Sequence, residues 1–335
     1  MLSTSIQTPS FLNSPIEDSS SSTLATYDGL DPRLTNLSYS SLLTAHLCPR
    51  KFQLDKLQAT RDTTESISDS ITFSYGHIVG LGIQMTLEQK SFEEFIWQAF
   101  LLWTPELFAD NPKQNKSFAH AIFAVQKFKA MLDAGYLADY ELVYYDNKPA
   151  CELSFIISLP NGFKYRGFVD AVLRHKITGQ VIVLECKTSS AINLNPATYK
   201  NSAQAIGYSI VLDAIFPELS AYSVIYLVYS SKELQYEQLE FKKSYLQRAR
   251  WIQELVLDTE ILTLYESNNI YPMHGENCVQ YFRDCSYLGL CEMPDDRLTS
   301  PLTVKGLEKL NADNDKYQIK ITLEDLIQTQ LAKVS

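Results

Sequence analysis

The sequence predicts an α/β fold, with helical regions on either side of a central run of strands. Three observations carry that expectation. Between residues 38 and 132, apolar residues recur at three- and four-residue spacing. From about residue 140 the chain turns to short β-branched and aromatic runs, separated by turn residues such as Asp146-Asn147, Pro160-Asn161-Gly162 and Thr178-Gly179. After residue 197 the helical period returns, interrupted by one pair of strands. Hydrophobic residues make up 45% and charged residues 20%, a globular balance that excludes a wholly disordered chain.

Each element follows in order. Residues 1–30 are rich in Ser and Thr, show no sustained apolar period, and are expected to form a flexible tail. The globular part is expected from near Leu34. Residues 38–57 set Leu42, Leu43, Leu47, Phe52 and Leu54 at helical spacing around Pro49, behind a Ser cap. A second helical segment covers 75–103, with Ile78, Ile83, Phe95 and Phe100, and a third covers 118–132, with Ile122, Val125 and Phe128. Strands are expected at ELVYYDN, ELSFIISLP, YRGFVDAVLRH and QVIVLECKTS. A helix follows over 197–215. AYSVIYLVYS (221–230) reads as a strand buried on both faces, and YEQLEF (236–241) as its hairpin partner. Residues 242–265 return to helix, and ITLEDLIQTQLAKV closes the chain as an amphipathic stretch.

Twenty-nine Lys and Arg against 39 Asp and Glu leave a net charge of −10. That excludes a uniformly basic coat for nucleic acid but not a local basic groove. Arg50, Lys51, Lys56, Lys200, Lys242, Lys243, Arg248 and Arg250 are candidates for one. No apolar run is long enough to span a bilayer, and the first residues lack the basic and apolar regions of a secretory signal. Six cysteines in a chain of 335 residues do not form a disulfide scaffold.

The most informative stretch is YRGFVDAVLRHKITGQVIVLECKTS (165–189). Asp170 lies on one strand, and the next delivers Glu185 and Lys187, two apart and therefore on one face. Two carboxylates, with the Cys186 carbonyl between them, make an oxygen-rich site suited to Mg²⁺ or Mn²⁺. Lys187 beside the ion can position a water or neutralise charge developing on a phosphorus centre. A charge closing an apolar strand such as VIVL is costly unless it is used.

These residues resemble the PD-(D/E)XK nuclease superfamily, and within it the RecB-like branch. Gly167-Phe168-Val169-Asp170 matches the Gly-x-x-Asp strand, and Glu185-Cys186-Lys187-Thr188 matches the Glu-x-Lys strand. Gln204 and Tyr208 match the Gln-x-x-x-Tyr helix of that branch. The resemblance implies a restriction-endonuclease-like core: a central mixed β-sheet flanked by helices, an N-terminal helical region and a C-terminal Cys-rich segment. It adds Glu152 to the metal ligands, beside Asp170, Glu185 and Cys186. It assigns catalysis to Asp170, Glu185 and Lys187, and strand contact to Gln204 and Tyr208. One position departs from the pattern. Where the branch carries a histidine ligand in Gly-x-x-x-His, this chain has Gly80.

Cys278, Cys285 and Cys291 sit in one segment, and three thiolates leave a tetrahedral site or a cubane one ligand short. Cys48, in LCPRKF, is the candidate fourth. A zinc site with His274 as a spare ligand, and four buried thiols without metal, are the alternatives. Cys151 and Cys186 lie in strands and read as core thiols. This arrangement resembles the phage and CRISPR-adaptation members of the RecB-like branch, which hold a 4Fe–4S iron–sulfur cluster with one N-terminal and three C-terminal cysteines.

The domain reading is therefore a tail over 1–30, a nuclease domain with its cluster ligands over 31–300, and an extension over 301–335. The expected function is a metal-dependent DNA exonuclease in recombination, repair or phage DNA processing. Its cofactors would be Mg²⁺ or Mn²⁺ and the cluster; its partners would be DNA and recombination or replication proteins, without a membrane, in the cytoplasm of a bacterium or phage-infected host. The alternative is a catalytically weak DNA-binding subunit that keeps the fold. Nothing in the residues separates DNA from RNA.

Overall fold

The computed structural model describes residues 23–59, 67–103, 114–190, 195–216, 222–280 and 283–332. The helices among them are α1 (Tyr39–Leu47), α2 (Pro49–Lys56), α3 (Ile67–Leu87), α4 (Phe92–Leu102), α5 (Phe118–Asp133), α6 (Pro196–Lys200), α7 (Ala203–Ile215), α8 (Tyr245–Ser267), α9 (Asp295–Leu298), α10 (Val304–Asp315) and α11 (Leu323–Ala332). The strands are β1 (Asn36–Leu37), β2 (Tyr140–Leu142), β3 (Tyr144–Tyr145), β4 (Lys148–Pro149), β5 (Cys151–Ser158), β6 (Lys164–His175), β7 (Val181–Ser189), β8 (Tyr222–Ser230), β9 (Gln235–Lys242), β10 (Val279–Gln280), β11 (Arg283–Asp284) and β12 (Ile319–Thr322).

A mixed eight-stranded sheet forms the centre, with the order β12-β5-β6-β7-β8-β9 and with β1 and β2 also paired to β6. The β5-β6, β6-β7 and β8-β9 pairs are antiparallel, whereas β7-β8 and β12-β5 are parallel. The expected mixed α/β architecture is what the chain adopts.

Period-2 alternation explains why both faces are covered. Val181, Val183, Val224, Tyr226 and Val228 join one core with α1, α7, α8 and α11. Ile182, Leu184, Ile225, Leu227 and Tyr229 join the opposite core with α3, α4 and α5. All nine residues of β8 are buried, as its continuous apolar run requires. A third, smaller core packs Leu54, Ala59, Tyr287 and Leu298 with Cys285 and Cys291 around the C-terminal cysteine segment.

Several elements differ from expectation. The helix over 75–103 is two helices: Gln89 takes a positive φ of 58°, and Ser91 then caps α4 by accepting from the Glu94 N–H. The strand over 141–147 is β2 plus a tight β3-β4 ribbon, turned at Asp146 and Asn147, both at positive φ. Of the tail, residues 1–22 lie outside the described residues. Thr23 to Ala25 are bound to the body, where the Ala25 N–H donates to the Leu302 carbonyl and the Val304 N–H to that of Thr23. The extension over 301–335 supplies β12 to the edge of the central sheet. Arg50, Lys243 and Arg248 do not line a basic groove; all three are buried, with Arg248 paired to Asp213. None of the helices among the described residues is long and apolar enough to cross a membrane.

Candidate active site

The site forms where β6 and β7 part. Their ladder runs to Ala171 opposite Leu184, and Asp170 and Glu185 follow just beyond it. The Asp170 Oδ2 accepts a 2.8 Å hydrogen bond from the Cys186 backbone N–H, so the carboxylate occupies the opening between the strands. On the other side of β6, Cys151 pairs with Ala171 and Leu153 with Val169, which sets Glu152 across from Asp170. Glu152 adopts φ 47°, left-handed for a non-glycine residue in a strand, and such a kink re-aims the side chain. Gly167 is required by packing: a Cβ there would stand 2.8 Å from the Phe155 ring.

Glu185 is wholly buried. Its Oε1 meets the Lys187 ammonium at 2.5 Å, and its Oε2 has no hydrogen-bond partner among the described residues. Lys187 also donates to the Gln204 Oε1 at 3.2 Å, and the Gln204 Nε2 donates to the Tyr208 hydroxyl at 2.7 Å. Tyr208 itself is buried, its ring edge-on to Phe155. The pair Gln204 and Tyr208, expected to touch a nucleic-acid strand, is joined to Lys187 through this chain of hydrogen bonds, with Gln204 half-buried and Tyr208 buried.

The electrostatics are strained. Burial raises the pKa of Glu185 above the carboxylate range, and the neighbouring Asp170 adds to the rise; Lys187 offsets only part of it. Asp170 is raised by burial as well, against the pull of Lys187 and the Cys186 N–H. Glu152 keeps surface open to solvent, yet desolvation of its carboxylate and the charge of Asp170 lift it to about 7. Burial opposes the Lys187 charge, but Glu185 and Asp170 outweigh it and hold the ammonium above its ordinary pKa. Crowded carboxylates with an unpartnered oxygen fit a hard divalent cation, which would remove the repulsion.

Glu152, Asp170, Cys186 and Lys187 line an open cleft of about 680 Å³ whose opposite wall is α3, through Phe73, Gly76, His77, Gly80 and Gln84. Gly80, at the expected histidine position, faces open space: a Cβ there would meet nothing within 4 Å. His77 lies in the same wall, its ring edge-on to Phe73 at 6.1 Å. Phe73 and Gln84 are cleft residues that sequence reasoning did not single out; the glycines at 76 and 80 were the available signal, since they mark a helix face left open. Among the described residues no group of three or more His, Cys, Asp or Glu side chains converges into a preformed metal cluster.

Of the four cysteines, Cys285 and Cys291 pack against the third core, and among the described residues the four do not form a group that could hold a metal ion. Cys48 joins α1 to α2, and Cys278 ends the turn over 275–277. The Cys285 N–H donates to the Cys278 carbonyl at 2.7 Å, and the Cys291 N–H to that of Tyr287 at 2.7 Å. Burial raises the pKa of the Cys291 thiol, and Cys278, Cys285 and Cys48 each add to the rise. None is disulfide-bonded. Arg50 clasps the segment, donating to the carbonyls of Cys291 and Met293 at 2.9 Å each and pairing with Asp295. His274, the spare zinc ligand of the sequence reading, directs its Nδ1 to the Leu47 carbonyl at 3.0 Å. Cys151 is buried in the core, with its thiol raised to about 12 by burial, and Cys186 packs there too.

Residues 36–292 match the family model of the PD-(D/E)XK nuclease superfamily. No curated protein matches the chain. Among solved structures, one described as "Putative exonuclease" from Eubacterium rectale shares 12% identity at a TM-score of 0.42, over 82% of this chain and 93% of that one. The protein SSO0001 shares 15% identity at a TM-score of 0.26, over 68% of this chain and 87% of that one. The assignment rests on the family match, not on these two likenesses.

Proposed function

The chain belongs to the PD-(D/E)XK nuclease superfamily, and from that premise we propose that it is a divalent-metal-dependent DNA nuclease using Asp170, Glu185 and Lys187. The observation that carries the reading is the buried Glu185, with one oxygen on Lys187 and the other unpartnered, beside the raised carboxyl of Asp170. Asp170 and Glu185 would hold Mg²⁺ or Mn²⁺, with Glu152 and the Cys186 carbonyl completing an all-oxygen set. Bound there, the ion supplies Lewis acidity and neutralises charge on the scissile phosphate. Lys187, held by Gln204 and Glu185, orients the attacking water and stabilises the negative charge of the pentavalent transition state. Tyr208 fixes Gln204 from the core side, so the lysine does not reorganise during the reaction.

The finer reading is an exonuclease acting at DNA ends in recombination, repair or phage DNA processing, which the RecB-like motif pattern supports. Cys48, Cys278, Cys285 and Cys291 would hold a 4Fe–4S cluster that staples α1-α2 to the C-terminal segment, a structural role. Support comes from the hydrogen bonds that join the two segments, Arg50 to the Cys291 carbonyl and His274 to the Leu47 carbonyl. The second reading, a DNA-binding subunit with weak catalysis, is favoured by one feature: Gly80 offers no imidazole to the cleft.

End-labelled single- and double-stranded DNA and RNA, incubated with Mg²⁺, Mn²⁺ or chelator, separate the readings. Metal-dependent release of nucleotides from DNA ends is the expected result. Retention of DNA without cleavage under any metal supports the binding subunit instead.

A further inference from the structure

Beside the cleft, on the catalytic strand itself, lies a second open concavity of about 560 Å³, walled by Ser154, Arg166, Phe168, Asp313, Lys316 and Tyr317. Phe168 is 47% exposed, and its ring lies 5.7 Å from that of Tyr317 at 42°, so the two form one tilted aromatic surface. Phe168 precedes Asp170 by two residues on β6, roughly 6.7 Å along the strand, so the concavity and the cleft draw on neighbouring positions of one strand. That spacing is about one nucleotide step in an extended chain. Ser154, opposite Phe168, is fastened to the loop that carries Tyr317: the Ser154 N–H and hydroxyl donate to the Gln318 Oε1 at 3.2 and 3.3 Å, and the Gln318 N–H donates back at 3.1 Å. The aromatic surface is therefore held to the catalytic sheet from both sides.

We propose that Phe168 and Tyr317 form a base-stacking platform that seats single-stranded DNA so that its next phosphodiester lies at Asp170 and Glu185. This rests on the nuclease reading of the adjoining cleft. Charge and continuity both select this occupant. The Arg166 side chain makes no hydrogen bond or close ion pair with the described residues, which leaves guanidinium donors for a phosphate at the platform's edge, though its charge also acts on Asp313; Lys316 is already paired with Asp313 at 2.7 Å. Of the two cations lining this concavity, Lys316 is paired with Asp313, so in a chain of net charge −10 phosphate attraction there is weak and stacking must carry the binding. An aromatic face accepts any base, so the platform holds strands without reading their sequence. A duplex end would reach it only after its bases part.

The test is fluorescence anisotropy of the full chain with Ca²⁺ in place of Mg²⁺, on a labelled 12-mer of thymidines and on an equally long abasic strand. Stacking on one ring predicts that Phe168→Ala and Tyr317→Ala each weaken thymidine binding by about 5- to 150-fold. Binding of the abasic strand, which keeps every phosphate, should change less than twofold. Phe168→Leu, which keeps apolar bulk but no π-face, should behave as Phe168→Ala does. Equal losses on both strands, unchanged thymidine binding in the variants, or no binding by the unmodified chain would each overturn the platform. Cleavage of the same thymidine strand by the unmodified chain with Mg²⁺ is read in parallel. Cleavage with ring-independent binding sinks the platform alone, whereas absent cleavage strikes the nuclease reading.

Discussion

Replacing Glu185 with glutamine removes one charge and almost no volume, so its consequences can be worked through term by term. The side chain is fully buried, and no cavity results from an isosteric change. Two stability effects oppose each other. The ion pair with Lys187 is lost, but that lysine is 39% exposed and keeps Gln204 and Asp170, so its loss costs on the order of 1 kcal/mol or less. Repulsion between Glu185 and Asp170 is relieved by a similar amount. The metal-free variant should therefore unfold within about 1 kcal/mol of the unmodified chain at pH 8. The pH slope differs more. A carboxyl whose folded pKa lies above its unfolded value binds extra protons when folded, so its stabilising contribution is complete at low pH and is lost as pH rises through the folded pKa. In chelator, the unmodified chain should lose stability between about pH 5 and pH 8, and Glu185→Gln should lose less. Metal reverses the ranking. A cation at one hundred times its dissociation constant adds about 2.7 kcal/mol, or roughly 4 °C in Tm for a chain of this length. The variant should gain almost none of that. Cleavage should fall by at least about 10²- to 10³-fold. Thermal melts across pH, with chelator or Mg²⁺, and single-turnover digestion measure all of this. An equal Mg²⁺ shift in both proteins, or cleavage within tenfold of the unmodified rate, would falsify the site.

Gln204→Ala should lower kcat by about tenfold or more while leaving DNA affinity in Ca²⁺ nearly unchanged, because the residue fixes Lys187 rather than the strand; parallel loss of affinity in the binding assay argues against that role. Gly80→His should be tolerated, since the Cβ meets open space and helix propensity improves by a few tenths of a kcal/mol; it should tighten Mn²⁺ binding by calorimetry, and a destabilised protein or unchanged affinity contradicts the open wall. Anaerobically purified protein should carry about four irons per chain, and Cys48→Ala should lose them as fully as Cys285→Ala, whereas Cys151→Ala keeps them. One zinc per chain, or full iron in Cys48→Ala, would redirect the cysteine reading.

The sheet was legible because β6 to β9 are long and their alternation is clean; Val181 to Leu184 name both faces before any coordinates are known. The carboxylate pair was legible from parity and from the cost of closing an apolar strand with a charge. What was not legible depends on distant contacts. A two-residue strand such as β1 carries no periodic signal, and the four residues of β12 are defined by their pairing with β5. The buried state of Arg50 and Arg248 follows from Asp295 and Asp213, partners far along the chain. Tyr208 was legible only through its match to the Gln-x-x-x-Tyr pattern; its burial against the Phe155 ring depends on a residue of a different strand. Phe168 was passed over inside the Gly-x-x-Asp motif, because its partner Tyr317 arrives from a different segment.

The parallel pairing of β12 with β5 also bears on the order in which the protein can be completed. Chain growth delivers β5 long before β12, and until then Phe155 to Ser158 present unpaired backbone groups along a sheet edge, a template for pairing with another chain. The docking of Thr23 to Ala25 against Leu302 to Val304 waits for the same moment, as does the clasp of Arg50 on Met293. Such contacts between distant segments come late and slow the search for the native state. A chain lacking residues 300 onward would therefore keep that edge open, a liability for aggregation. Closure of that edge by β12 is thus among the late, long-range steps of folding.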